Sequence, residues 1–316
     1  MKKLFFFVFS FLAILTASYL GYKFLISENN SITSPLPGFL TSFSNRQVSS
    51  LDIWKPVFQS NAESKMPDIT ARSALIYDLT SDKVLYDKNI RKKFPIASLT
   101  KIMTAVVALE HPKKNDKYFV TRSDLVGEDS MGLSEGEILS LNELLYGLIL
   151  HSGNDAAETL ASNFPGGRTA FIKAMNDKAK ALGLENTNFT NPSGLEGDGD
   201  QYSTTEDLLV ITRYALFNFP TFSKIAATAE YTIPKTSAHN EYYMENETNL
   251  LTTYPGVKGV KTGYTPEAGF CLITYLEYGD HKIVGILLGS ENRRQEMKDL
   301  LDYSLKTLGI EPPEHD

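Results

Sequence analysis

Apolar residues recur along this 316-residue chain with two periods, one typical of strands and one typical of helices. Near residue 75 and again near the C-terminal end, short aliphatic and aromatic runs are bounded by turn residues, which is the pattern of strands. The last two runs flank Tyr278-Gly279-Asp280 and therefore predict a hairpin. The predicted strands are residues 73–78, 83–86, 256–263, 269–277 and 282–289.

Between these strands, apolar residues lie three and four positions apart, which is the spacing of helices. Two helix starts carry a capping-box pattern, in which a Ser is followed three residues later by a Glu: Ser140 with Glu143, and Ser203 with Glu206. The predicted helices are residues 98–110, a helix from the Ser140 box into His151, residues 155–162 and 169–181, a helix from the Ser203 box through Tyr214, and residues 292–308.

Strands at both ends of the domain, with helices between them, predict an α+β fold. One antiparallel sheet would be covered by helices, and a helical lobe would be inserted between the first and the last strands. The catalytic domain is predicted at residues 67–309, with a short tail at residues 310–316.

The first residues predict export from the cytoplasm. Lys2 and Lys3 precede an apolar stretch at residues 4–26. Its densest part has the length of a signal peptide, and the whole stretch is long enough to span a bilayer with the lysines on the cytoplasmic side. Residues 1–26 are therefore a signal peptide or an N-terminal membrane anchor. Residues 27–66 are predicted to be a linker, and its later apolar residues are expected to pack on the domain or to mark its start.

Charge and cysteine content narrow the possible functions. The formal net charge is −7 and no block of basic residues occurs, which argues against nucleic acid as a partner. Cys271 is the only cysteine, so no intramolecular disulfide can form. It lies in an apolar run and is predicted to be a buried core residue, not a nucleophile.

The segment Ser98–Lys101 places a lysine three residues after a serine at a predicted helix start. A serine in this position is usually a helix cap. Here Lys101 would lie on the same helix face and reach the Ser98 hydroxyl, which needs an adjacent base to become a nucleophile. Burial, the helix dipole and a second ammonium, supplied by Lys261, would each favour the neutral amine that a base requires.

Ser152-Gly153-Asn154 lies in a turn between two predicted helices. The pattern Ser-x-Asn is weak by itself and occurs elsewhere in the chain. At an irregular turn, however, Ser152 would be able to pass a proton to a leaving amine, and Asn154 to hold a substrate amide and Lys101.

Lys261-Thr262-Gly263 lies at the end of a predicted strand. A lysine on an edge strand usually serves solubility. Gly263 would let a substrate backbone come close, and Lys261 with Thr262 would bind a terminal carboxylate. The backbone N–H of Tyr264 would form an oxyanion hole with that of Ser98.

Together, these motifs resemble the D-alanyl-D-alanine carboxypeptidase family, which comprises low-molecular-mass penicillin-binding proteins of the serine β-lactamase-like superfamily. The resemblance extends over residues 69–308. Arg293 falls where members of the family carry an arginine that helps to bind the substrate carboxylate. The segments that carry the resemblance are residues 94–104, 191–195, 202–204 and 255–265.

The resemblance implies a β-lactamase/transpeptidase-like fold and an enzyme without cofactor or metal. Its substrate would be a peptidoglycan stem peptide ending in D-Ala-D-Ala. Ser98 would attack the carbonyl between the two D-alanines with Lys101 as general base, and water would then hydrolyse the acyl-enzyme. β-Lactams would acylate the same serine as covalent inhibitors.

Well-known members of the family carry a further β-rich domain and a C-terminal amphipathic membrane helix. This chain stops at Asp316. Attachment to the cytoplasmic membrane is therefore predicted through the N-terminal segment, which favours the uncleaved anchor. The expected location is the periplasm or the outer face of the cell membrane.

Three other functions remain open at this point. A D,D-endopeptidase or transpeptidase would use the same groups. A class A β-lactamase would need a glutamate for deacylation, and Glu185 stands near the required spacing without the surrounding pattern. A catalytically silent domain that binds the cell wall or senses β-lactams is the third alternative, and the intact motifs argue against it.

Overall fold

The computed structural model describes residues 54–57 and 66–315. Its main feature is a five-stranded antiparallel sheet. The five strands are β1 (Ser73–Asp78), β2 (Lys83–Lys88), β7 (Val257–Thr265), β8 (Gly269–Tyr278) and β9 (His281–Ser290). Their order in the sheet is β2-β1-β9-β8-β7, so β1 lies between β2 and β9, with Ser73 opposite Leu288.

Helices and two small two-stranded sheets complete the described residues. Most of these elements lie between β2 and β7 in the sequence, where the sequence analysis predicts an inserted helical lobe. The small sheets pair β3 (Tyr118–Phe119) with β4 (Ile138–Leu139), and β5 (Glu230–Ile233) with β6 (Tyr242–Glu245). The helices are α1 (Lys101–Glu110), α2 (Leu141–Leu150), α3 (Asn154–Ser162), α4 (Gly167–Ala181), α5 (Thr205–Asn218), α6 (Pro220–Ala226), α7 (Leu250–Thr253) and α8 (Arg293–Thr307).

The alternation of side chains along the central strands divides the core into two clusters. In β1, Leu75 and Tyr77 belong to the larger cluster with α1 and the lobe, whereas Ala74 and Ile76 belong to a smaller cluster with α8. Successive strand residues point to opposite faces of a sheet, so both faces of β1 are covered. This arrangement confirms the predicted α+β fold with helices over an antiparallel sheet.

Two predicted helix starts differ in detail from the structure. The helix predicted from residue 98 begins with a 3₁₀ turn, Ala97–Thr100, and becomes α-helical at Lys101. The capping box predicted at Ser203 is wrong by one residue, because Thr204 caps α5 and accepts a hydrogen bond from the Asp207 N–H at 3.0 Å. In contrast, the Ser140–Glu143 box is confirmed in both of its hydrogen bonds.

Trp54, in the later part of the predicted linker, contacts residues of the predicted domain. Its ring meets Tyr77 edge-on at 5.5 Å, and the Arg213 guanidinium lies 4.5 Å above it. The predicted signal peptide or anchor at residues 1–26 and most of the linker lie outside the described residues. Within residues 54–57 and 66–315, no helix is long and apolar enough to cross a bilayer.

Candidate active site

Ser98 lies in a strained turn at the base of α1. The preceding residue, Ala97, has a φ of +46°, which non-glycine residues rarely adopt, and its carbonyl oxygen accepts a hydrogen bond from Thr100 Oγ1 at 2.8 Å. The Ser98 side chain does not cap the helix. The structure therefore excludes the capping role that is usual for a serine in this position.

The Lys101 amine is fully buried and lies at the centre of the site. Its Nζ atom is 2.8 Å from Ser98 Oγ, 2.7 Å from Asn154 Oδ1 and 2.7 Å from the carbonyl oxygen of Ser193. These contacts join three separate segments of the chain. The predicted contacts of Lys101 with Ser98 and Asn154 are both present.

The three partners of Lys101 can accept from the three N–H groups of an ammonium, and they also suit a neutral amine. An amide oxygen and a backbone carbonyl only accept hydrogen bonds, whereas the Ser98 hydroxyl can also donate one. A neutral amine would donate to Asn154 and Ser193, which leaves its lone pair for the proton of Ser98. Burial is the main cause that holds the Lys101 pKa well below its ordinary value, and the positive charge of Lys261 lowers it further.

The Ser152-Gly153-Asn154 turn leads into α3. Ser152 is buried with a φ of +58°, and Asn154 is the first residue of the helix. The Asn154 N–H donates to the carbonyl oxygen of Asp129 at 2.8 Å, while the buried Asp155 carboxylate accepts hydrogen bonds from the N–H groups of the segment 131–133. A neighbouring loop thus fixes the turn that positions Asn154 against Lys101.

Lys261 is fully buried although β7 is an edge strand. Its Nζ donates to the carbonyl oxygen of Thr262 at 3.1 Å. Burial lowers the Lys261 pKa to about 8, an effect that Glu247 and Asp129 oppose and that Arg293 increases. Because the ammonium is enclosed, this lysine does not serve solubility. Its charge acts on Lys101, which lies across the cleft between the two lysines and whose pKa it lowers.

Arg293 stands beside the third motif. Its Nη1 donates to the carbonyl oxygens of Gly263 at 2.8 Å and Cys271 at 3.3 Å, and its guanidinium lies 5.2 Å from the centre of the Phe270 ring. Its neighbour Arg294 is exposed. Of the two adjacent arginines, the structure therefore brings Arg293 to the site.

Two glycines let backbone segments approach Ser98. A Cβ on Gly263 would lie 3.0 Å from the Ser98 nitrogen, so β7 runs against the 3₁₀ turn Ala97–Thr100. This turn contains the expected nucleophile and is called the nucleophile turn below. A Cβ on Gly194 would lie 2.1 Å from the Ala97 carbonyl oxygen and 3.0 Å from the same nitrogen. Ser193, whose carbonyl oxygen contacts Lys101, directly precedes this close approach.

We expect Gly194→Ala to damage both folding and the site. Its φ of +91° disfavours alanine, and the added methyl would collide with the nucleophile turn. Left-handed strain and overpacking together predict a loss of about 2–5 kcal/mol in the free energy of unfolding. Displacement of the Ser193 carbonyl predicts a loss of activity of about a hundredfold. Urea unfolding and a rate assay measure the two effects.

Gly136→Ala is the matched control. Gly136 has a φ of +89°, and no atom lies within 4 Å of its added Cβ. The Gly136→Ala variant therefore has the backbone strain of about 1–2 kcal/mol without the collision. Equal losses of stability and activity in the two variants would contradict the importance of the contact at Gly194.

Other candidates from the sequence lie apart from this cleft. Cys271 is buried, as predicted, and burial raises the pKa of its thiol to about 11, which keeps it protonated. Glu185 lines a separate cavity with Trp54 and Asp207, and no hydrogen bond within the described residues joins it to Ser98 or Lys101. This position gives no support to the β-lactamase alternative. No cluster of metal-ligating side chains occurs in residues 54–57 and 66–315.

Sequence reasoning missed two parts of the site. The Ser193 carbonyl is a backbone group, which residue types do not reveal, although its segment carries the family resemblance. The second is Glu247, whose Oε2 accepts a hydrogen bond from Thr262 Oγ1 at 3.0 Å and lies 4.0 Å from Lys261 Nζ. No motif marks Glu247, because it is close to Lys261 only through the fold.

A serine paired with a buried lysine, opposite a second buried lysine on an edge strand, defines a serine enzyme of the penicillin-binding-protein type. The sequence profile of the D-alanyl-D-alanine carboxypeptidase family, Peptidase S11, matches residues 59–292. The chain belongs to this family.

Individual relatives agree with this membership. The chain is similar to D-alanyl-D-alanine carboxypeptidase DacF of Bacillus subtilis, with 33% identity over 77% of this chain and 64% of the relative's length. A D-alanyl-D-alanine endopeptidase of Pseudomonas aeruginosa is 35% identical over 65% of this chain and 67% of its own length. The crystal structure of the Streptomyces K15 DD-transpeptidase superposes with a TM-score of 0.71 and 31% identity, over 77% of this chain and all of that chain.

Proposed function

We propose that this protein is a serine D,D-carboxypeptidase that removes the terminal D-alanine from peptidoglycan stem pentapeptides. The proposal rests on the hydrogen-bond partners of the Lys101 amine. Two of its three partners only accept hydrogen bonds, and the third is the Ser98 hydroxyl. This arrangement suits a general base poised on a serine nucleophile.

In the first half-reaction, Ser98 Oγ attacks the carbonyl carbon between the two D-alanines while Lys101 takes the hydroxyl proton. The carbonyl becomes an oxyanion, which the backbone N–H groups of Ser98 and Tyr264 stabilise. Support for this hole comes from the contact of β7 with the nucleophile turn at Gly263. The C–N bond then breaks, and the leaving amine receives its proton through Ser152 from Lys101.

The terminal carboxylate of the substrate binds at the other end of the cleft. Lys261 supplies a buried positive charge, Thr262 a hydroxyl donor, and Arg293 a second cation beside Gly263. A free carboxylate after the scissile bond is what distinguishes a carboxypeptidase substrate from most peptides. In the second half-reaction, Lys101 takes a proton from water, the hydroxide attacks the Ser98 ester, and the serine recovers its proton.

The β-lactam ring offers a strained amide to the same serine, so penicillin should acylate Ser98. We also propose residues 67–309 as the catalytic domain, residues 27–66 as a linker and residues 1–26 as the segment that exports the chain and attaches it to the membrane. The family's named activity on D-Ala-D-Ala supports an extracytoplasmic location, because that substrate is part of the cell wall.

The test is the release of D-alanine from a pentapeptide ending in D-Ala-D-Ala by the purified full-length protein. We expect release from this peptide and none from the same peptide ending in D-Ala-L-Ala, whose carboxylate would point away from Lys261 and Thr262. Mass spectrometry of penicillin-treated protein should find the adduct on the peptide that contains Ser98.

A second substrate separates the carboxypeptidase from the endopeptidase named among the relatives. Cross-linked muropeptide dimers with pentapeptide ends can lose D-alanine, split into monomers, or do both. Loss of D-alanine with intact dimers supports the proposal. Splitting of dimers without release of D-alanine would overturn it in favour of an endopeptidase.

A further inference from the structure

Glu247 is a carboxylate inside the region that is proposed to receive the carboxylate of the substrate. It follows β6, and its Oε2 accepts the hydrogen bond of Thr262 Oγ1 at 3.0 Å. The same oxygen lies 4.0 Å from Lys261 Nζ. Its charge also acts on Arg293. Burial lowers the pKa of Arg293, and the negative charge of Glu247 opposes this effect. All three proposed carboxylate-binding side chains thus face an anion that belongs to the protein.

The backbone of Glu247 is firmly placed. Its N–H donates to the carbonyl oxygen of Leu150 at 3.1 Å, close to the Ser152 turn. The preceding Asn246 side chain donates to the carbonyl oxygens of Ala226 and Thr228, and its Oδ1 accepts from the next N–H, that of Thr248. In contrast, the Glu247 side chain is 37% exposed, so the carboxylate can turn toward solvent without disturbing these bonds.

The Thr262 hydroxyl can donate only one hydrogen bond. In this structure it donates to Glu247. A substrate carboxylate that accepts the same proton must displace the Glu247 carboxylate, and until the two separate they repel each other. Hydrogen-bond capacity and charge therefore make Glu247 a competitor for the site.

On the basis of the function proposed above, we propose that Glu247 is a specificity-determining residue. Its carboxylate occupies the Thr262 donor and balances Lys261 until the carboxylate of the substrate replaces it. The enzyme thereby binds carboxylate-terminated peptides more weakly than its cations alone would allow. When no substrate is bound, the Glu247 carboxylate serves as the counter-charge of the buried Lys261 ammonium.

The charges around Lys261 explain why this lysine needs a counter-charge when no substrate is bound. Burial is the largest cause that lowers the Lys261 pKa, and Arg293 adds to it, while Glu247 and Asp129 oppose it. The positive charge of Lys261 in turn lowers the pKa of Lys101. Without Glu247, Asp129 would be left to oppose the loss of the proton from Lys261 among the charges of residues 54–57 and 66–315. Lys261 would then lose its positive charge, and with it the attraction for a carboxylate, at a lower pH.

The experiment measures binding without catalysis, by NMR titration of the full-length Ser98→Ala protein at pH 6. The probes are an N-acetylated peptide ending in D-Ala-D-Ala and the same peptide with a C-terminal carboxamide. The variants add Glu247→Gln, which keeps a hydrogen-bond acceptor but removes the charge. The matched control adds Glu245→Gln, which removes an exposed carboxylate that accepts from Tyr243.

We expect Glu247→Gln to tighten binding of the carboxylate peptide about tenfold, which is the effect of removing one like charge at short range in a partly hydrated site. Binding of the carboxamide should change less than twofold, and Glu245→Gln should change neither. Between pH 6 and pH 8 the advantage should shrink, because Lys261 loses its proton at a lower pH once the Glu247 charge is gone, whereas the protein that keeps Glu247 holds this proton up to about pH 8. A purely structural role would not produce this dependence on charge and pH.

Equal changes for both peptides, weaker binding of the carboxylate peptide at pH 6, or no carboxylate-dependent binding at all would overturn the inference. The proposed function is judged separately by D-alanine release from the protein that retains Ser98. Release without a charge-specific effect of Glu247→Gln overturns the inference alone. A charge-specific effect without release overturns the function and leaves the carboxylate exchange standing.

Discussion

Ser98→Ala should reduce the release of D-alanine by at least about ten thousandfold, because the proposed acyl-enzyme forms on the Ser98 hydroxyl. The same variant should no longer be labelled covalently by penicillin. The fold should remain, since the Ser98 hydroxyl has the Lys101 amine as its hydrogen-bond partner and does not cap the helix. Steady-state release and mass spectrometry of the penicillin-treated protein measure the two losses, and circular dichroism checks the fold.

Ser152→Ala provides the contrast, because Ser152 is the second serine that the motifs bring to the cleft. As a proton relay it should contribute about ten- to a hundredfold to the rate, and its loss should leave slow penicillin labelling at Ser98. If Ser98→Ala were still labelled and Ser152→Ala were not, the nucleophile would have been assigned to the wrong serine.

Lys101→Met should slow acylation about a thousandfold. Methionine has a similar unbranched shape but no basic nitrogen, so the Ser98 proton would have no acceptor. The carbonyl of Ser193 and the Asn154 amide oxygen would also lose the amine that joins them. The rate of penicillin adduct formation, followed by rapid quenching and mass spectrometry, isolates this step from deacylation.

Lys113→Met is the matched control for this change. Lys113 follows the opposite end of α1, and its Nζ donates to Asn163 Oδ1 at 2.9 Å, so it too is a lysine paired with an amide oxygen. Burial lowers its pKa as well. Because it lies outside the cleft, its replacement should change the acylation rate less than twofold. A Lys101→Met rate within tenfold of the wild type would exclude Lys101 as the base.

The strands and most helices were predictable because their signals are local. The failure at Ser203 shows the limit of such signals. Ser203 and Thr204 each precede an acidic residue by three positions, so the sequence offers two adjacent caps. The structure uses Thr204 because the Ser203 backbone pairs with Phe94 in both directions and its hydroxyl bonds to Thr187. A distant partner thus decides between two equal local patterns.

The β5–β6 hairpin was missed for a related reason. Its strands have four residues each, and the segment between them contains no tight-turn signal. Its second strand alternates buried and exposed residues, but so short an alternation does not stand out in a sequence.

The site itself was predictable in its residues but not in its environment. The three motifs name Ser98, Lys101 and Lys261, and the spacing in the first motif already places a base beside a serine. The burial of Lys261 on an edge strand contradicts what an edge position alone predicts, because the nucleophile turn covers that edge. Glu247 has no sequence signal, since only the tertiary fold brings it to Thr262.

The pairing of β1 with β9 has a consequence for how the molecule folds. Strand β1 can pair with β9 only when almost the whole chain is available, since Ser73 lies opposite Leu288. Contacts so distant in sequence form slowly, whereas the helical lobe between them is rich in local contacts. A nascent chain can therefore hold Ser98 beside Lys101 before β7 arrives with Lys261. In that order of assembly, the buried charge of Lys261 would reach Ser98 and Lys101 only when the last strands dock.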